Sequence, residues 1–568
     1  MATGTATGTQ TAKIETRTGL FAGRRGRKLK EAILGYLFLA PAFIIIFTFG
    51  LFPLAFSAYQ SSLAGINKIV GRPDGLGNYV KAIDNLAYVL MFWLAVVLVY
   101  LAIRSTIKTV RLARKYDENP WYWLLPAAVT AVGLALFVRF FFTLLPKMLD
   151  IPSQVARGQE LTRELFLQLI GETFRLPEVQ GTLGTAVVIL LLAGGVSYLS
   201  YRFFPESPRR NDYFSGFLQV VLLLLGAAFL GWVTYTEIQL AYAEAFEAGE
   251  SLEIWSQMVT ISAGFVMLIL SYVLWKSSSD RSSTLSTLLR MGGAMMLAIG
   301  AWVLIAELPR AIAAGNEDWW QALQVTVFFA LFTIPLQFVI SLTLATVLFQ
   351  AIKGKTAFRM IFFLPFIAPL VGTAAAFRII FSGRANAPVN TILTTLGFEP
   401  LGWLNEPTGI FQLIAGTGVD LSGWMAGPSL ALFTIILYNV WTYVGFDMVI
   451  FLAGLGAIPF ELYEAASIDG AGRWSQFRHV TIPLLSPTIY FLMLLAVIGT
   501  FKAFNRIYVM RLGAALGTTD TASVVIFETF NRDTRYGYAS ALAMILLVII
   551  IVLTVINNRI AEERVFYG

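Results

Sequence analysis

Pro459-Phe460-Glu461-Leu462-Tyr463-Glu464-Ala465-Ala466-Ser467-Ile468-Asp469-Gly470-Ala471-Gly472 is a polar island between two apolar stretches, 429–453 and 484–508. Pro459 suits the first position of a helix, where its missing N–H costs nothing. Gly470 suits the turn beyond the helix end, where φ is positive. Glu461 and Glu464 sit toward the start, where negative charge complements the helix dipole. The segment reads as a short surface helix joining two membrane helices. Thr481-Ile482-Pro483-Leu484-Leu485-Ser486-Pro487 then re-enters the apolar phase, with Pro483 and Pro487 setting the angle.

The same alternation of apolar runs and polar turns extends through all 568 residues. Charged residues make up 13% and hydrophobic ones 57%, whereas a soluble domain carries roughly a quarter charged residues. About a dozen runs reach the ~20 residues that cross a bilayer as a helix. In hydrocarbon every backbone N–H and C=O must be paired within the chain, so such runs are helices; no strand alternation supports a barrel. The expected fold is all-α and polytopic. Spans are placed near 34–59, 86–104, 121–145, 182–203, 214–236, 257–276, 286–307, 320–350, 357–382, 429–453, 484–508 and 540–557. The absence of cysteine and the single His479 exclude disulfides, thiol nucleophiles, cysteine-rich metal sites and most histidine acid–base schemes. Arg24-Arg25-Gly26-Arg27-Lys28-Leu29-Lys30 before an apolar run imitates a signal peptide. The run 32–58 is too long for an h-region and lacks a small-residue cleavage site, so it reads as the first span.

Lysine and arginine collect on the cytoplasmic side of short loops. With the N-terminus inside, the inner segments hold 25 of the 41 Lys and Arg, including Arg104 to Lys115, Arg202 to Arg210, Lys276 to Arg290 and Lys353 to Arg359. Two outer segments, Glu237 to Glu253 and Glu307 to Glu317, are acidic. Twelve spans return Arg559 and Arg564 to the inside. This distribution accounts for the net charge of +7 without nucleic acid, and the chain is expected in a plasma membrane with both termini cytoplasmic.

Glu464-Ala465-Ala466, Gly470 and Val480-x-Ile482-Pro483 resemble, in order and spacing, the EAA loop of ABC importer permeases. The flanks are similar to MalF-type (also UgpA-type) carbohydrate permeases: Leu39-Ala40-Pro41, Gly77-Asn78-Tyr79, Leu364-Pro365, Asn439-Val440-Trp441, Phe504-Asn505-Arg506-Ile507-Tyr508-Val509 and Tyr536-Gly537-Tyr538-Ala539-Ser540-Ala541. The resemblance covers about 33–82 and 318–568. It implies that Glu464, Ala465, Ala466, Gly470 and Pro483 form a coupling element docking on a separate ATPase. Glu464 can offer charge-assisted hydrogen bonds there. The implied partners are a MalG-like second permease, an ABC ATPase dimer, an extracellular solute-binding protein, a carbohydrate and the lipid membrane. ATP and magnesium belong to the ATPase. In this chain Gly354-Lys355-Thr356 lacks the glycine that a phosphate loop needs five residues earlier, where Phe349 stands. No catalytic residue, metal or cofactor is expected.

Carried over from the resemblance, the sugar-contacting positions fall at Asn439, Thr442, Tyr443, Phe446, Ala496, Thr500 and Ala503. An aromatic ring against a sugar face plus an amide for its hydroxyls is the expected chemistry. The small side chains of Ala496, Thr500 and Ala503 argue against maltose. Arg378, Asp447, Lys502 and Arg506 are costly inside a membrane and face a cavity or partner unless they reach the interface; the latter is the expectation for Lys502 and Arg506.

The chain departs from the family pattern at 83–317, an insertion with six additional predicted helices. It reads as three hairpins in tandem, with Ala95–Tyr100, Ala186–Leu191 and Phe265–Leu270 corresponding. The resulting division is a cytoplasmic tail (1–32), a first core span and outer loop (33–82), the insertion (83–317) and the permease core (318–568) with its coupling loop at 459–487. Thr408 to Gly427 is an extra outer segment, and Arg511-Leu512-Gly513-Ala514-Ala515 replaces a glycine-rich turn. An ion-coupled secondary transporter is the competing reading, which twelve spans and membrane charges would suit. A self-contained carrier has no need of the EAA loop. A membrane enzyme lacks a visible active site.

Overall fold

A computed structural model describes residues 23–65, 71–155, 162–204, 207–249, 252–278, 284–350, 352–515 and 517–564. Most of the predicted tail, including residues 1–22, lies outside these. Two compact units emerge, 1–58 and 59–568. The first contains the helix Gly23–Ile46, a π-turn at Phe47–Leu51 and the start of Phe52–Gln60. Its apolar side chains, Phe38, Phe49 and Ile44 among them, are exposed, as a lipid-facing helix requires.

The second unit is built from α1 (Leu86–Lys115), α2 (Leu124–Leu149), α3 (Pro177–Phe203), α4 (Arg210–Ala248), α5 (Ile254–Ser278), α6 (Thr284–Ala314), α7 (Glu317–Phe349), α8 (Lys355–Ile367), α9 (Leu370–Ile380), α10 (Leu430–Gly456), α11 (Phe460–Ile468), α12 (Ser486–Phe501), α13 (Asn505–Met510), α14 (Ala522–Asn531) and α15 (Tyr536–Arg564). Among the described residues of both units, ten helices are long and apolar enough to cross a membrane, or twelve if each of two bent pairs counts as one span. The twelve predicted spans all have counterparts.

Three differ from the straight spans expected. The 357–382 run breaks into α8 and α9, bent by 97°. Ala368, extended at ψ 146°, precedes Pro369, and a residue before proline is pushed out of the helical region. The 484–508 run is entered from Arg473–Leu484 through a 63° bend and ends at Phe501. There Ser523 Oγ donates to Phe501 O at 3.2 Å and Thr521 Oγ1 to Ala503 O at 3.2 Å. These hydroxyls take carbonyls that a continuing helix would have used. The acidic outer segment from Glu237 is a continuation of α4, which stops only where Gly249 turns left-handed at φ 72°.

The insertion is not three tandem hairpins. α4 packs on both α1 and α2, and α2 packs on α3, so the first four helices form a nested group. Only α5 and α6 pair as a sequential hairpin of the predicted kind. Helices in lipid gain little from the hydrophobic effect and associate through small residues that let backbones approach. At the α5–α6 contact a Cβ on Gly300 would lie 2.9 Å from the Gly264 carbonyl oxygen. Apolar periodicity marks which face is lipid-exposed; it does not say which helix fills the other face.

The core surrounds α7, which packs on α10, α12 and α14. Segments distant in sequence meet near its N-terminal end. Asn78 Nδ2 donates to Ser61 O (3.0 Å) and Leu63 O (2.8 Å), Ser540 Oγ donates to Gln60 Oε1 at 3.0 Å, and a Cβ on Gly537 would overlap the Leu63 carbonyl. The Gly77-Asn78-Tyr79 and Tyr536-Gly537 motifs therefore belong to one joint.

Candidate functional site

Two regions carry the predicted residues. The first is the polar island. Pro459 caps α11 at ψ 132° rather than occupying its first turn, one residue from expectation. The helix ends through Asp469 N to Ala465 O (3.0 Å) and Ala471 N to Ala466 O (2.9 Å), with Gly470 at φ 80°, a conformation costly for a residue with a Cβ. Glu464 and Ala465 are exposed, Ala466 is half-buried, and Ile468 is 86% exposed.

Side chains fasten this helix to the next. Gln476 Nε2 donates to Ser467 Oγ (2.8 Å) and Ala471 O (3.0 Å), and Tyr463 and Thr481 hydroxyls meet at 3.0 Å. A π-helical turn, Phe477–Thr481, precedes Pro483. Such turns are rare and concentrate at functional sites. Pro483 stands in the last turn before the 63° bend into α12. Two side-chain ties thus join α11 to the segment that leads into a membrane helix.

The second region is inside the membrane. Asn439 on α10, 2% exposed, accepts a hydrogen bond at Oδ1 from Arg506 Nη1. Arg506 Nη2 also donates to the Tyr443 hydroxyl at 2.5 Å. Gln337 Nε2 on α7 donates to Asp447 Oδ2 at 2.6 Å, and Asn439 Nδ2 reaches Gln337 Oε1 at 3.5 Å. Asp447, Gln337, Asn439, Arg506 and Tyr443 therefore form a polar chain from α7 through α10 to α13. Arg506 does not reach out to the interface as expected but turns inward onto neutral oxygens. Lys502, the C-cap of α12, is exposed.

An aromatic surface adjoins the chain. Phe446 stacks on Phe366 of α8 (4.7 Å between centroids), and Tyr443 meets Phe366 edge-on at 5.5 Å. α8 and α10 touch by backbone here: a Cβ on Gly445 would overlap the Phe362 carbonyl oxygen. Of the predicted contact residues, Asn439, Tyr443 and Phe446 are brought together. Thr442 Oγ1 donates to Tyr438 O (2.9 Å), and Thr500 Oγ1 to Ala496 O (2.8 Å) and Val497 O (3.1 Å). Both hydroxyl protons are spent on the residue's own helix. Ala503 is buried and Ala496 half-buried. Gln337 was not foreseen. Its signal was an amide in the middle of an apolar run, two residues after Pro335.

On the far side, Arg511 pairs with Asp520 at 2.9 Å and with Glu528. Burial works against its charge, but the hydrogen bonds to Glu528 and Asp520 outweigh this and raise its pKa. This clamp holds the turn that replaces the glycine-rich one. Asn390, fully buried, ties the loop after α9 by donating to Ser382, Arg384 and Leu401 carbonyls and accepting from Leu401 N and Trp403 Nε1. In the 408–427 segment, Phe411 and Trp424 pack on Phe332 and Phe328 of α7.

Residues 308–565 match the family model described as binding-protein-dependent transport system inner membrane component. A probable ABC transporter permease of Bacillus subtilis, YesP, is 32% identical over 293 residues, 50% of this chain and 87% of its own. The trehalose/maltose transport system permease MalF of Thermococcus litoralis is 29% identical over 44% of this chain and 76% of its own. The lactose transport permease LacF of Rhizobium radiobacter is 32% identical over 43% and 76%. Among solved structures, a bacterial ABC transporter involved in alginate import aligns over 48% of this chain and 94% of its own, at 23% identity and a TM-score of 0.38. The named relatives are transport permeases, not enzymes. With a B. subtilis relative matched over nearly its whole length, the chain belongs to the binding-protein-dependent inner membrane component family, and within it to the MalF-type ABC importer permeases.

Proposed function

We propose that this chain is one half of the translocation pathway of an ATP-driven importer of a sugar or sugar derivative, with N- and C-termini cytoplasmic. The observation that carries the reading is α11: an exposed helix, ended by Gly470 and tied by Gln476 and Tyr463 to the helix that bends at Pro483. Glu464, Ala465, Ala466 and Gly470 give it the small, charged surface that docks in a groove of a partner ATPase holding ATP and magnesium. The sugar class is supported by relatives that are a trehalose/maltose and a lactose permease.

In the working cycle, ATP closes an ATPase pair, which pulls α11 and its counterpart on a MalG-like second permease. The cavity then faces outward and receives sugar from a docked solute-binding protein. Asn439 with its Arg506 partner meets the sugar hydroxyls, and Tyr443 and Phe446 offer ring faces. Thr442 and Thr500 keep only hydroxyl lone pairs for that role. Residues 83–317 are an accessory bundle outside the family core of 33–82 and 318–568.

The test is affinity purification of the chain in mild detergent from its native cells. An ATPase and a second permease co-purify with the wild type and are lost when Glu464→Arg and Gly470→Val are introduced together. Purification of the chain alone, with ion-driven and ATP-independent uptake in liposomes, would overturn the importer reading in favour of a secondary transporter.

A further inference from the structure

The inserted bundle carries a groove of about 510 Å³ at the polar end of α1. Arg104, Lys108 and Arg111 line it together with Ser105, Ile107 and Gln219 of α4. The three cations recur at i, i+4 and i+7 and so share one helix face. All three are exposed, no carboxylate lines the groove, and no ion pair among the described residues involves them. Ser105 Oγ has two acceptors within reach, Gln219 Oε1 at 3.3 Å and Gly216 O at 3.5 Å, and a bond to Oε1 leaves both amide protons of Gln219 for another acceptor.

The groove lies at a definite depth. Residues 86–103 of α1 are uncharged, and at ~1.5 Å per residue they cover about 27 Å, close to the ~30 Å of a hydrocarbon core. Arg104 therefore stands at the boundary. Rings gather at the same end of the bundle: Trp121 lies 5.4 Å from Phe217, and Tyr122 stacks 4.4 Å from Phe204. Trp and Tyr favour the headgroup level. The preference of cytoplasmic loops for Lys and Arg explains the sign of these charges. It does not explain their convergence on one concave, acid-free site with an apolar wall and an amide donor.

We propose that this groove binds the headgroup phosphate of an anionic phospholipid. Basic pockets between membrane helices suit such headgroups. Three guanidinium or ammonium groups supply the charge, Gln219 a directional donor, and Ile107 contact for the start of an acyl chain. The lipid ties the α1–α4 group to the bilayer at the end farthest from its packing on the core.

Native mass spectrometry of the purified permease complex tests this, with phosphatidylglycerol or phosphatidylcholine added to the detergent. Phosphatidylglycerol binds the wild type more tightly. In R104Q/K108Q/R111Q its apparent affinity falls on the order of a hundredfold, from roughly fivefold per cation near an anionic surface. K276Q/K353Q/K355Q, with the same change in net charge, keeps wild-type binding. Equal binding of the two lipids, or an equal loss in the control variant, overturns the proposal. So does displacement of phosphatidylglycerol by excess inorganic phosphate, which would mark a free-anion site. If the triple glutamine variant fails to insert, R104K/R111K preserves the charge, and the wild-type contrast between the two lipids decides.

Discussion

Replacing Gln337 by Leu tests whether the intramembrane polar chain is an energetic unit. Leu has nearly the same volume, so the change removes hydrogen bonds and leaves no large cavity. Asp447 Oδ2 loses a donor at 2.6 Å, with both residues at most 5% exposed. A net hydrogen bond to a charged group is worth about 1.5–3 kcal/mol, while bonds between membrane helices average about 0.6 and reach about 1.7 kcal/mol. The short distance and deep burial place this pair at the upper end, about 1.5 kcal/mol of coupling. Gln337→Leu alone costs about 3 kcal/mol, because it leaves a buried carboxyl oxygen without its donor. Asp447→Ala relieves that penalty, so the double variant falls short of the summed single costs by the coupling energy. The assay is unfolding of the purified chain by increasing SDS mole fraction in mixed micelles, followed by circular dichroism, for all four members of the cycle. A coupling below about 0.5 kcal/mol, the scatter of independent sites, would refute the reasoning.

Gly445→Ala drives a methyl into the Phe362 carbonyl and must separate α8 from α10; overpacking costs about 1–3 kcal/mol. A drop in thermal midpoint together with weakened substrate binding is expected, since the Phe446–Phe366 stack lies at the same contact. Arg511→Met leaves Asp520 and Glu528 without their shared cation and destabilises by about 3–5 kcal/mol, whereas removing all three charges together recovers most of that in the same unfolding assay. Glu118 accepts hydrogen bonds at 2.7 Å from Ser207 and Tyr213, which hold its carboxyl below the usual value of 4.5. A depressed folded pKa contributes stability above the unfolded value that is lost as pH falls through the folded one. The thermal midpoint therefore drops below about pH 4.5 in the wild type and drops less in Glu118→Gln, as differential scanning fluorimetry across pH would show.

The sequence alone determined most of what is governed by local rules. A run of about 20 apolar residues has one answer in hydrocarbon, so the positions of the membrane helices were readable from composition and loop charge. Gly470 was readable as a turn because a Cβ is costly at positive φ, and Glu464-Ala465-Ala466 through Pro483 because their spacing follows one short helix and its return. The π-turn at Phe477–Thr481 and the stop of α12 at Phe501 were not. The first depends on how Pro483 is accommodated in three dimensions, and the second on hydroxyls of Thr521 and Ser523 arriving from a later segment.

The pairing of helices was decided only by tertiary structure. An apolar face is satisfied equally by lipid or by any neighbour with fitting small residues, so nothing in 83–317 distinguished a nested group from tandem hairpins. The same holds for the polar chain. Asp447 and Arg506 were visible as charges in apolar runs, but their partners, Gln337 and Asn439, lie 110 and 67 residues away. Hydrophobic pattern fixes which residues avoid water; only the packed fold determines which buried polar groups find one another.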